Sequence, residues 1–251
     1  ELERAVTDAF LFDPRVMSFE IDAEAKGGTV TLRGEVDNLK ARFAEQQQRS
    51  VVTQQKLLEA AIEAFSENGF KGTSTRDIAE RAGVHHPLIT YHFKNKDQLW
   101  RAAVDRVFKD FRRSLAASLE DYSDEQPKER FASLIRAYVY YAKSQPALHK
   151  IMVQESSYPN ERLTYLIDTH LKPFFDVTFE LLGELQELGV APQGNTKLLF
   201  NMIRMCSGGL LALGNELKDS SGIDVSDDAT LDEIASMITA LFLPGEPNQP
   251  A

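Results

Sequence analysis

Helical periodicity runs through almost the whole of this chain and leaves room for only one small sheet. From Asp37 to about residue 243, apolar residues recur every three or four positions, and no alternating segment interrupts them. Alternation typical of strands is confined to residues 16–36, on both sides of a turn signal at 26–28. A helical pattern precedes this hairpin. The sequence therefore predicts a mainly α protein that is preceded by a small α/β segment, one helix and one β-hairpin.

Capping signals divide the helical region into separate helices. Thr53 is a candidate N-cap for a helix that ends at Asn68 and Gly69, and Asn95 opens another that continues to about residue 119. Pro173 lies inside a long helical pattern and predicts a kink there. Later helices are predicted at 128–144, 146–155, 160–189, 194–217 and 229–243.

Two short helices joined by a glycine are predicted between these longer ones. Ser74 and Asp77 form a capping-box pattern that opens a helix over 75–82, and Gly83 suits the left-handed turn that ends it. A further short helix is predicted over 86–93. Two short helices with a glycine turn, the second carrying polar outer residues, are the pattern of a helix-turn-helix.

The stretch TSTRDIAERAGVHHPLITYHFKNKDQLW, residues 73–100, resembles the DNA-binding domain of TetR-type transcriptional repressors. The usual pattern of that family is T-x-x-x-I-A-x-x-A-G-V followed by L-Y-x-H-F-x-x-K-x-x-L. VTQQKLLEAAIEAFSENGFKG resembles its first helix, and close similarity covers about residues 51–105. The resemblance implies that the helical remainder, 106–243, is an effector-binding and dimerisation domain.

The resemblance also implies DNA-facing roles for individual residues. The turn into the second helix should lie near phosphates, the outer face of the third should enter the major groove, and His92 with Lys96 matches the family's phosphate-contacting pair. The predicted DNA-binding residues are Thr73, Ser74, Thr75, Arg76, His85, His86, Leu88, Thr90, Tyr91, His92, Lys94 and Lys96. Thr90 stands where the family has tyrosine. Whether this chain makes the DNA contact that is usual for that tyrosine therefore stays open. Packing alone is an alternative for Leu88, Tyr91 and His92, as capping is for Thr73 and Ser74.

Charge along the chain agrees with a single DNA-binding face. The whole chain has a net charge of -10, which argues against general affinity for nucleic acid. Residues 51–113, however, hold 11 Lys and Arg against 8 Asp and Glu, and three of the five histidines. The acidic segments on either side would repel DNA and confine contact to the basic face.

The sequence predicts no enzyme, no metal site and no cofactor. His85 and His86 are adjacent and point in different directions on a helix. The single cysteine, Cys206, lies in an apolar helix, which favours a buried and unreactive thiol. Patterns for a serine nucleophile, a phosphate loop or a dinucleotide fingerprint are missing. One cysteine, no secretory signal and no long apolar run predict a cytoplasmic protein without a membrane span.

Aromatic residues and methionines at helical spacing in the C-terminal region mostly belong to the core. The resemblance implies a mostly apolar effector cavity among these helices. The candidate effector-binding residues are Tyr141, His149, Met152, Phe175 and Met205. The helices at 194–217 and 229–243 each show an apolar face, and the resemblance implies that they form the four-helix interface of a homodimer. A two-fold dimer would match palindromic DNA.

The N-terminal stretch DPRVMSFEIDAEAKGGTVTLRGEVDNLKARFAE resembles the first part of a BON module, a family associated with envelope and membrane-linked proteins. V-T-L-R-G-E-V on the second strand carries this resemblance, which stops near residue 47, before a closing strand. A degenerate remnant is the alternative interpretation. One continuous helix from Asp37 to Asn68 is a further hypothesis.

These patterns together predict four parts. They are a partial BON-like segment at 1–47, a helix-turn-helix DNA-binding domain at 48–98, a helical effector-binding and dimerisation domain at 99–245, and a disordered tail at 246–251. The predicted function is a ligand-responsive homodimeric repressor that binds palindromic operator DNA and is released by a small, mostly apolar effector. The alternative is an envelope- or stress-associated interaction protein that acts through the BON-like segment.

Overall fold

The fold is a series of helices preceded by one β-hairpin. The computed structural model describes residues 21–26, 29–34, 39–120, 122 and 126–244. The predicted N-terminal helix and the predicted disordered tail lie outside these residues. The chain divides into two compact units, Glu1–Leu57 and Leu58–Ala251. Residues 98 and 99, between which the sequence predicts a boundary, lie in one helix, and the predicted domain bounds stay a prediction.

The hairpin consists of β1 (Ile21–Lys26) and β2 (Thr29–Gly34), which pair antiparallel. Ile21 pairs with Gly34 and Lys26 with Thr29, so the strand register agrees with the predicted turn position. The start of the first predicted strand, 16–20, lies outside the described residues. The prediction of a two-stranded sheet is confirmed where the structure describes it.

The helix α1 (Leu39–Gly72) is longer than the helix that a cap at Thr53 predicts, and it agrees with the hypothesis of one continuous helix from Asp37 to Asn68 over the described residues. Thr53, the predicted N-cap, lies inside α1, and its hydroxyl donates to the Arg49 carbonyl at 2.8 Å. This prediction was wrong because strong helix formers precede Thr53 and its hydroxyl is satisfied by the turn before it. Gly69 has φ 69° and ends the regular helix, as predicted.

The remaining helices follow through short connections and agree with the predicted bounds within a few residues, apart from two interruptions. They are α2 (Thr75–Arg81), α3 (Pro87–Phe93), α4 (Lys96–Ala117), α5 (Pro127–Ser144), α6 (Ala147–Ser156), α7 (Glu161–Leu166), α8 (Lys172–Glu187), α9 (Thr196–Arg204), α10 (Gly214–Ser221) and α11 (Asp228–Phe242).

The two interruptions are π-helical turns inside the two longest predicted C-terminal helices. Ile167–Leu171 separates α7 from α8, and Lys172 donates its N–H to the carbonyl five residues earlier. Pro173, the predicted kink, follows directly; it has no N–H for a regular α-helical bond, which favours a wider turn before it. Met205–Gly209 and a 3-10 turn, Leu210–Leu213, separate α9 from α10, where the sequence predicts an unbroken helix.

One side of α4 is buried along its whole length and connects the two ends of the larger unit. Its buried residues are Leu99, Trp100, Ala103, Val104, Val107, Phe108, Phe111 and Leu115. The helix packs against α3, α5 and α6. A second apolar core, centred on Leu182, Leu185 and Leu231, holds α5, α8, α9 and α11 together. The helical core predicted from the periodicity is therefore present.

The turn between α2 and α3 depends on one glycine. Gly83 has φ 64°, and the N–H of Val84 closes the turn onto the Ala79 carbonyl at 3.0 Å. A Cβ at Gly83 would meet no atom within 4 Å. The requirement for glycine therefore comes from the backbone conformation alone and not from crowding.

A polar pair is buried among the C-terminal helices. His149 is 4% exposed, and its Nε2 lies 2.8 Å from the Tyr138 hydroxyl. Gly208 packs directly against this pair, where a Cβ would collide with the imidazole. Burial, and then the positive charge of Arg204, lowers the pKa of His149 to about 4, so the imidazole is neutral at neutral pH.

Replacing Gly83 with alanine should lower the free energy of unfolding by about 1–2 kcal/mol, because a left-handed φ strains a residue that has a Cβ. Gly83→Asn should cost less, since asparagine tolerates this conformation better. Chemical denaturation followed by fluorescence of Trp100, the single tryptophan, measures both. Equal stability of the alanine variant and the wild type would contradict the role given to this turn.

Neutral His149 should stabilise the fold above pH 6.5, and this contribution should disappear as the pH falls toward 4, because the folded pKa lies below the ordinary value of 6.5. His149→Gln cannot titrate. The stability advantage of the wild type over this variant should therefore shrink by about 1–3 kcal/mol between pH 7 and pH 4. Denaturation at a series of pH values tests this, and an advantage that is independent of pH would refute it.

Candidate nucleic-acid interface and ligand cavity

The helix α3 presents a polar face to solvent because its apolar side chains point inward. Ile89 is 2% exposed and Phe93 is 6% exposed. The predicted base-facing residues on the other side are exposed, namely His85, His86, Thr90 and Tyr91, together with Pro87. Tyr91 is 74% exposed, and Leu88 is half-buried. The arrangement leaves a row of polar side chains available to a partner.

Hydrogen bonds at the start of α2 hold α2 and α3 in place, and so fix the direction in which the polar face of α3 points. Ser74 Oγ accepts from the Asp77 N–H at 3.1 Å, and Asp77 Oδ2 accepts from the Ser74 N–H at 3.2 Å, which confirms the predicted capping box. Thr75 Oγ1 lies 2.9 Å from His86 Nε2 and joins the starts of α2 and α3. Because Thr75 and His86 are both predicted DNA contacts, a DNA contact by either would share or replace this hydrogen bond.

Thr73 is the predicted DNA-facing residue whose side chain lies farthest from solvent. It is 3% exposed, and its hydroxyl lies 3.0 Å from the Ala64 carbonyl oxygen and 2.8 Å from that of Gly69. The side chain closes the turn after α1 and is not presented to a partner. Ser74 and Arg76 remain exposed beside it.

The link between α3 and α4 is a tight turn that contains a strained residue. Lys94 has φ 64° and ψ -51°, and the Asn95 N–H donates to the Phe93 carbonyl at 2.7 Å. This γ-turn is of the rarer hand, and such a conformation costs a residue with a Cβ about 1–3 kcal/mol. It places the exposed Lys94 directly after α3. Asn95 then caps α4 by accepting from the Gln98 N–H at 2.8 Å, as predicted.

The two residues of the predicted phosphate pair differ in charge. Lys96 is half-buried, with Nζ 4.4 Å from the centre of the Phe70 ring. Burial, and then the nearby Arg162 guanidinium, lowers the pKa of the Lys96 ammonium. Burial lowers the pKa of His92 below 6.5, so its imidazole is neutral at neutral pH. A phosphate would form an ion pair with Lys96 and only a hydrogen bond with His92.

A second cation, Arg162 of α7, contacts the same aromatic ring. Its guanidinium carbon lies 4.0 Å from the centre of the Phe70 ring and 5.8 Å from that of Trp100. Arg162 Nε pairs at 2.9 Å with Oε1 of Glu155, whose side chain is 6% exposed. Phe70 therefore joins Lys96, at the DNA-facing end, to a buried ion pair of α6 and α7. No pattern in the sequence predicts this contact, because its members lie far apart in the chain.

A cleft opens among α4, α5 and α8. Its volume is about 410 Å³, within the range of small-molecule sites. Its apolar walls include Leu115, Leu134, Phe174, Val177 and Leu181. Charged residues of both signs also line it, namely Arg112, Arg130, Glu180 and Glu184. The cleft therefore combines a mostly apolar wall with a few polar groups.

A smaller cavity of about 30 Å³ lies against the inner end of the cleft. The two share the lining residues Leu115, Leu134, Phe174 and Thr178. Arg204 is the one charged side chain among the described residues that line this inner cavity. Its Nε and Nη2 lie 3.3 and 3.1 Å from the Oδ1 atom of Asn201. The surface that lines this inner cavity is almost wholly apolar.

The predicted effector-binding residues do not line the cleft or the inner cavity. Tyr141, His149 and Met152 are buried elsewhere in the core, Phe175 is half-buried, and Met205 is 50% exposed on the outside. Phe174 and Arg204, each one residue from a predicted position, line the cavity instead. A step of one residue turns a helix by about 100°, so a residue next to a lining residue faces away from the cavity.

An apolar surface extends over α9, the turns after it and α11. The side chains at least 48% exposed on it are Leu198, Met202, Met205, Leu213, Met237 and Leu241. A groove of about 770 Å³ runs along it, lined in part by Met237 and Leu241. Cys206, predicted to be buried, is half-buried and lines this groove, because this apolar side of the helix faces outward. An apolar patch of this kind is typical of an interaction surface.

The described residues contain neither a metal site nor a membrane span. Among them, no group of three or more His, Cys, Asp or Glu side chains could hold a metal ion. Within the same part of the chain, no helix combines the length and the hydropathy needed to cross a bilayer.

Comparison with known proteins agrees with the geometry. Residues 57–103 match the family of bacterial regulatory proteins, tetR family. The "Probable HTH-type transcriptional regulator YttP" of Bacillus subtilis (strain 168) is 26% identical over 121 residues, which are 48% of this chain and 58% of that protein. The "Probable acrEF/envCD operon repressor" of Escherichia coli (strain K12) is 28% identical over 201 residues, 77% of this chain and 88% of that protein.

A solved structure of AibR in complex with isovaleryl coenzyme A and operator DNA has the same fold. The TM-score is 0.63 at 17% identity, over 77% of this chain and 100% of the AibR chain. The BON-like interpretation of residues 1–47 receives no support from these comparisons. They match DNA-binding regulators, which are not enzymes. Residues 57–103 therefore resemble the DNA-binding part of tetR-family regulators, and the chain has a TetR-like fold with a helix-turn-helix followed by further helices.

Proposed function

We propose that the protein is a ligand-responsive, homodimeric repressor that binds palindromic operator DNA in the cytoplasm. The observation that carries this proposal is the exposed polar face of α3, held in place by α2 and flanked by Arg76, Lys94 and Lys96. A short helix of this kind fits the major groove, and cations beside it reach phosphates. The name of the Escherichia coli relative, an operon repressor, supports the direction of control.

The proposed DNA contacts fall into two groups, contacts with base edges and contacts with phosphates. Base edges are assigned to residues on the outer face of α3, namely His85, His86, Leu88, Thr90 and Tyr91. Phosphates are assigned to residues around it, namely Ser74, Thr75, Arg76, His92, Lys94 and Lys96. Arginine and asparagine, the residues with the clearest bidentate base contacts, are missing from the outer face of α3. Specificity for the operator sequence therefore depends on base contacts without the bidentate geometry of arginine or asparagine, and on the shape of the DNA.

The apolar surface of α9 and α11 is assigned to contact with a second copy of the chain. Met237 and Leu241 on α11 are 64% and 67% exposed, and neighbouring residues of α9 continue the same surface. Two such faces related by a two-fold axis would form a four-helix contact and cover these side chains. The same symmetry would place two α3 helices about 34 Å apart on successive turns of DNA.

The cleft among α4, α5 and α8 is assigned to the effector. Phe174 and Thr178 of α8 line it, and the π-helical turn joins α8 to α7, which holds Arg162 against Phe70. A ligand that shifts α8 would bias the position of Arg162, and through Phe70 that of Lys96. Release from the operator is the expected result of this bias.

Tyr91→Ala should weaken binding to operators selected from random-sequence DNA by about 10- to 100-fold, the effect of losing one good base contact. Lys96→Ala should weaken DNA binding at all sequences. It should also reduce the slope of log affinity against log salt concentration by about one, because one phosphate contact is lost. Lys150→Ala, an exposed lysine on α6, is the matched control and should bind normally. Fluorescence anisotropy at several salt concentrations measures all three. Unchanged affinity of both test variants would exclude α3 as the DNA-reading helix.

Leu241→Glu should convert the protein from a dimer to a monomer, because a charge in the centre of an apolar interface is left without a partner. Sedimentation equilibrium gives the mass, and operator affinity should fall together with it. Val153→Glu introduces the same charge at an apolar residue on α6 that is 56% exposed, and should leave the dimer intact. A monomeric wild type, or a dimeric Leu241 variant, would be evidence against this interface.

A further inference from the structure

We propose that His170 is a positioning residue, which holds α7 where Arg162 can share the Phe70 ring with Lys96. The effect of His170 on DNA binding rests on the proposed function, whereas its effect on the position of α7 does not. Its place in the π-helical turn, the direction of its two hydrogen bonds and the aromatic contacts of α7 together support this role.

His170 is a buried polar residue of the π-helical turn Ile167–Leu171. It is 3% exposed, and its ring stacks on that of Phe108 of α4, with the ring centres 4.6 Å apart. Asp105 and Arg112, three residues before and four after Phe108, lie on the same face of α4 and reach the two ring nitrogens. The imidazole therefore joins the wider turn to one face of α4.

The two hydrogen bonds of His170 have a fixed direction. Arg112 Nη1 lies 3.2 Å from Nδ1 of His170, and this nitrogen must accept because a guanidinium can only donate. The hydrogen of the neutral ring is then on Nε2, which donates to Asp105 Oδ1 at 2.8 Å. A second hydrogen, on Nδ1, would point at the Arg112 cation. Protonation of His170 would therefore break the contact with Arg112.

The groups that face His170 determine when this contact is present. Burial lowers the pKa of His170, the hydrogen bond and charge of Asp105 raise it, and the charge of Arg112 lowers it, with a net result below 6.5. Tyr165 faces the ring from α7. Burial, and then its hydrogen bond to Asp105, raises the pKa of Tyr165 to about 12, so its hydroxyl stays protonated. His170 is thus neutral and bonded to Arg112 at neutral pH, and loses this bond as the pH falls.

Asp105 connects His170 to α7. Its Oδ1 accepts from the Tyr165 hydroxyl at 2.6 Å as well as from His170. Tyr165 lies one turn after Arg162 on α7, and its ring centre lies 6.3 Å from that of Trp100. The Arg162 guanidinium carbon lies 5.8 Å from the same ring. Loss of the hydrogen bonds of His170 would therefore free Tyr165, and with it the helix that carries Arg162.

The position of Arg162 matters to Lys96 because both are cations on one ring. They lie 4.0 and 4.4 Å from the centre of the Phe70 ring. The charge of Arg162 adds to burial in lowering the pKa of Lys96, so the distance between the two cations affects the state of the lysine. His170 therefore acts, through α7, on a residue that is assigned to a DNA phosphate.

Fluorescence of Trp100, the single tryptophan, tests the position of α7 without DNA, because Tyr165 and Arg162 both contact its ring. His170→Gln keeps a donor and an acceptor but cannot titrate, whereas His170→Phe keeps the ring stack and loses both hydrogen bonds. At pH 7.5 the emission spectrum of the glutamine variant should match that of the wild type, and the phenylalanine spectrum should differ. Between pH 7.5 and pH 4.5 the wild type should change toward the phenylalanine spectrum, and the glutamine variant should not.

Equal spectra of the wild type and His170→Phe at pH 7.5 would overturn the proposal. An equal response of the wild type and His170→Gln to pH would do the same. Melting curves verify that each variant is folded. If His170→Phe does not fold, Arg112→Gln decides: it removes the cation that lowers the pKa of His170, so the pH response should move to higher pH. An unchanged midpoint in this variant would reject the role of His170.

Operator binding, measured by anisotropy at pH 7.5, tests the consequence for DNA. His170→Phe should weaken binding by about 2- to 30-fold, the range for residues that act through a network of contacts, and His170→Gln should bind like the wild type. Lys96→Ala should cost less affinity in the His170→Phe background than in the wild type. Additive losses would show that the two residues act independently, and would overturn the route through Lys96.

The proposal and the proposed function can fail separately. If the protein binds no DNA selected from random sequences, the proposed function is wrong, and the Trp100 spectra alone decide whether His170 holds α7. If DNA binds and His170→Phe binds it as tightly as the wild type does, the proposed function stands and the positioning role of His170 is wrong.

Discussion

The buried side of α4 is the constraint on which the DNA-facing helices and the cavity both depend. Its first turns place Leu99 and Trp100 beneath the end of α3, and its last turns place Leu115 on the wall of the cleft. Leu99 and Leu115 are 16 residues apart in this helix of 22 residues, so roughly 24 Å of rigid backbone separates them. Neither end can shift without disturbing close-packed side chains along the helix, and a change at one end is therefore not absorbed locally.

Around this helix, the contacts best suited to respond to a ligand are polar and lie on one side. Arg162, its ion pair with Glu155 and the shared ring of Phe70 connect α7 to Lys96. The π-helical turn that precedes α8 is a wider and less regular part of the same helical run. A cavity beside such a turn is a natural place for a ligand to select between two packings, because the turn can change its bonding without unfolding the helix.

Local signals predicted much of this fold, and distant contacts explain what they missed. Gly83, the capping box at Ser74 and the Asn95 cap each dictate backbone geometry within a few residues, and each is found where predicted. Thr53 was assigned wrongly because a capping residue marks a helix start only when the preceding residues are not themselves helical. Phe175 and Met205, two of the predicted effector-binding residues, each lie one residue from a residue that lines the inner cavity, since the neighbours of an apolar helix decide which of its sides is covered. No pattern within a single segment of the sequence predicts the contact of Phe70 with Lys96 and Arg162.

The strained conformation of Lys94 has a consequence for how this domain can change over evolution. Glycine would adopt the same φ of 64° without strain, and the chain nevertheless carries a residue with a long cationic side chain there. The chain therefore has a cationic side chain beside α3 at a position where glycine would make the turn more stable. Natural proteins tolerate such conflicts where function requires them. A search for stabilised variants would select against this lysine early, and under the phosphate contact proposed for Lys94 a search for tighter DNA binding would retain it.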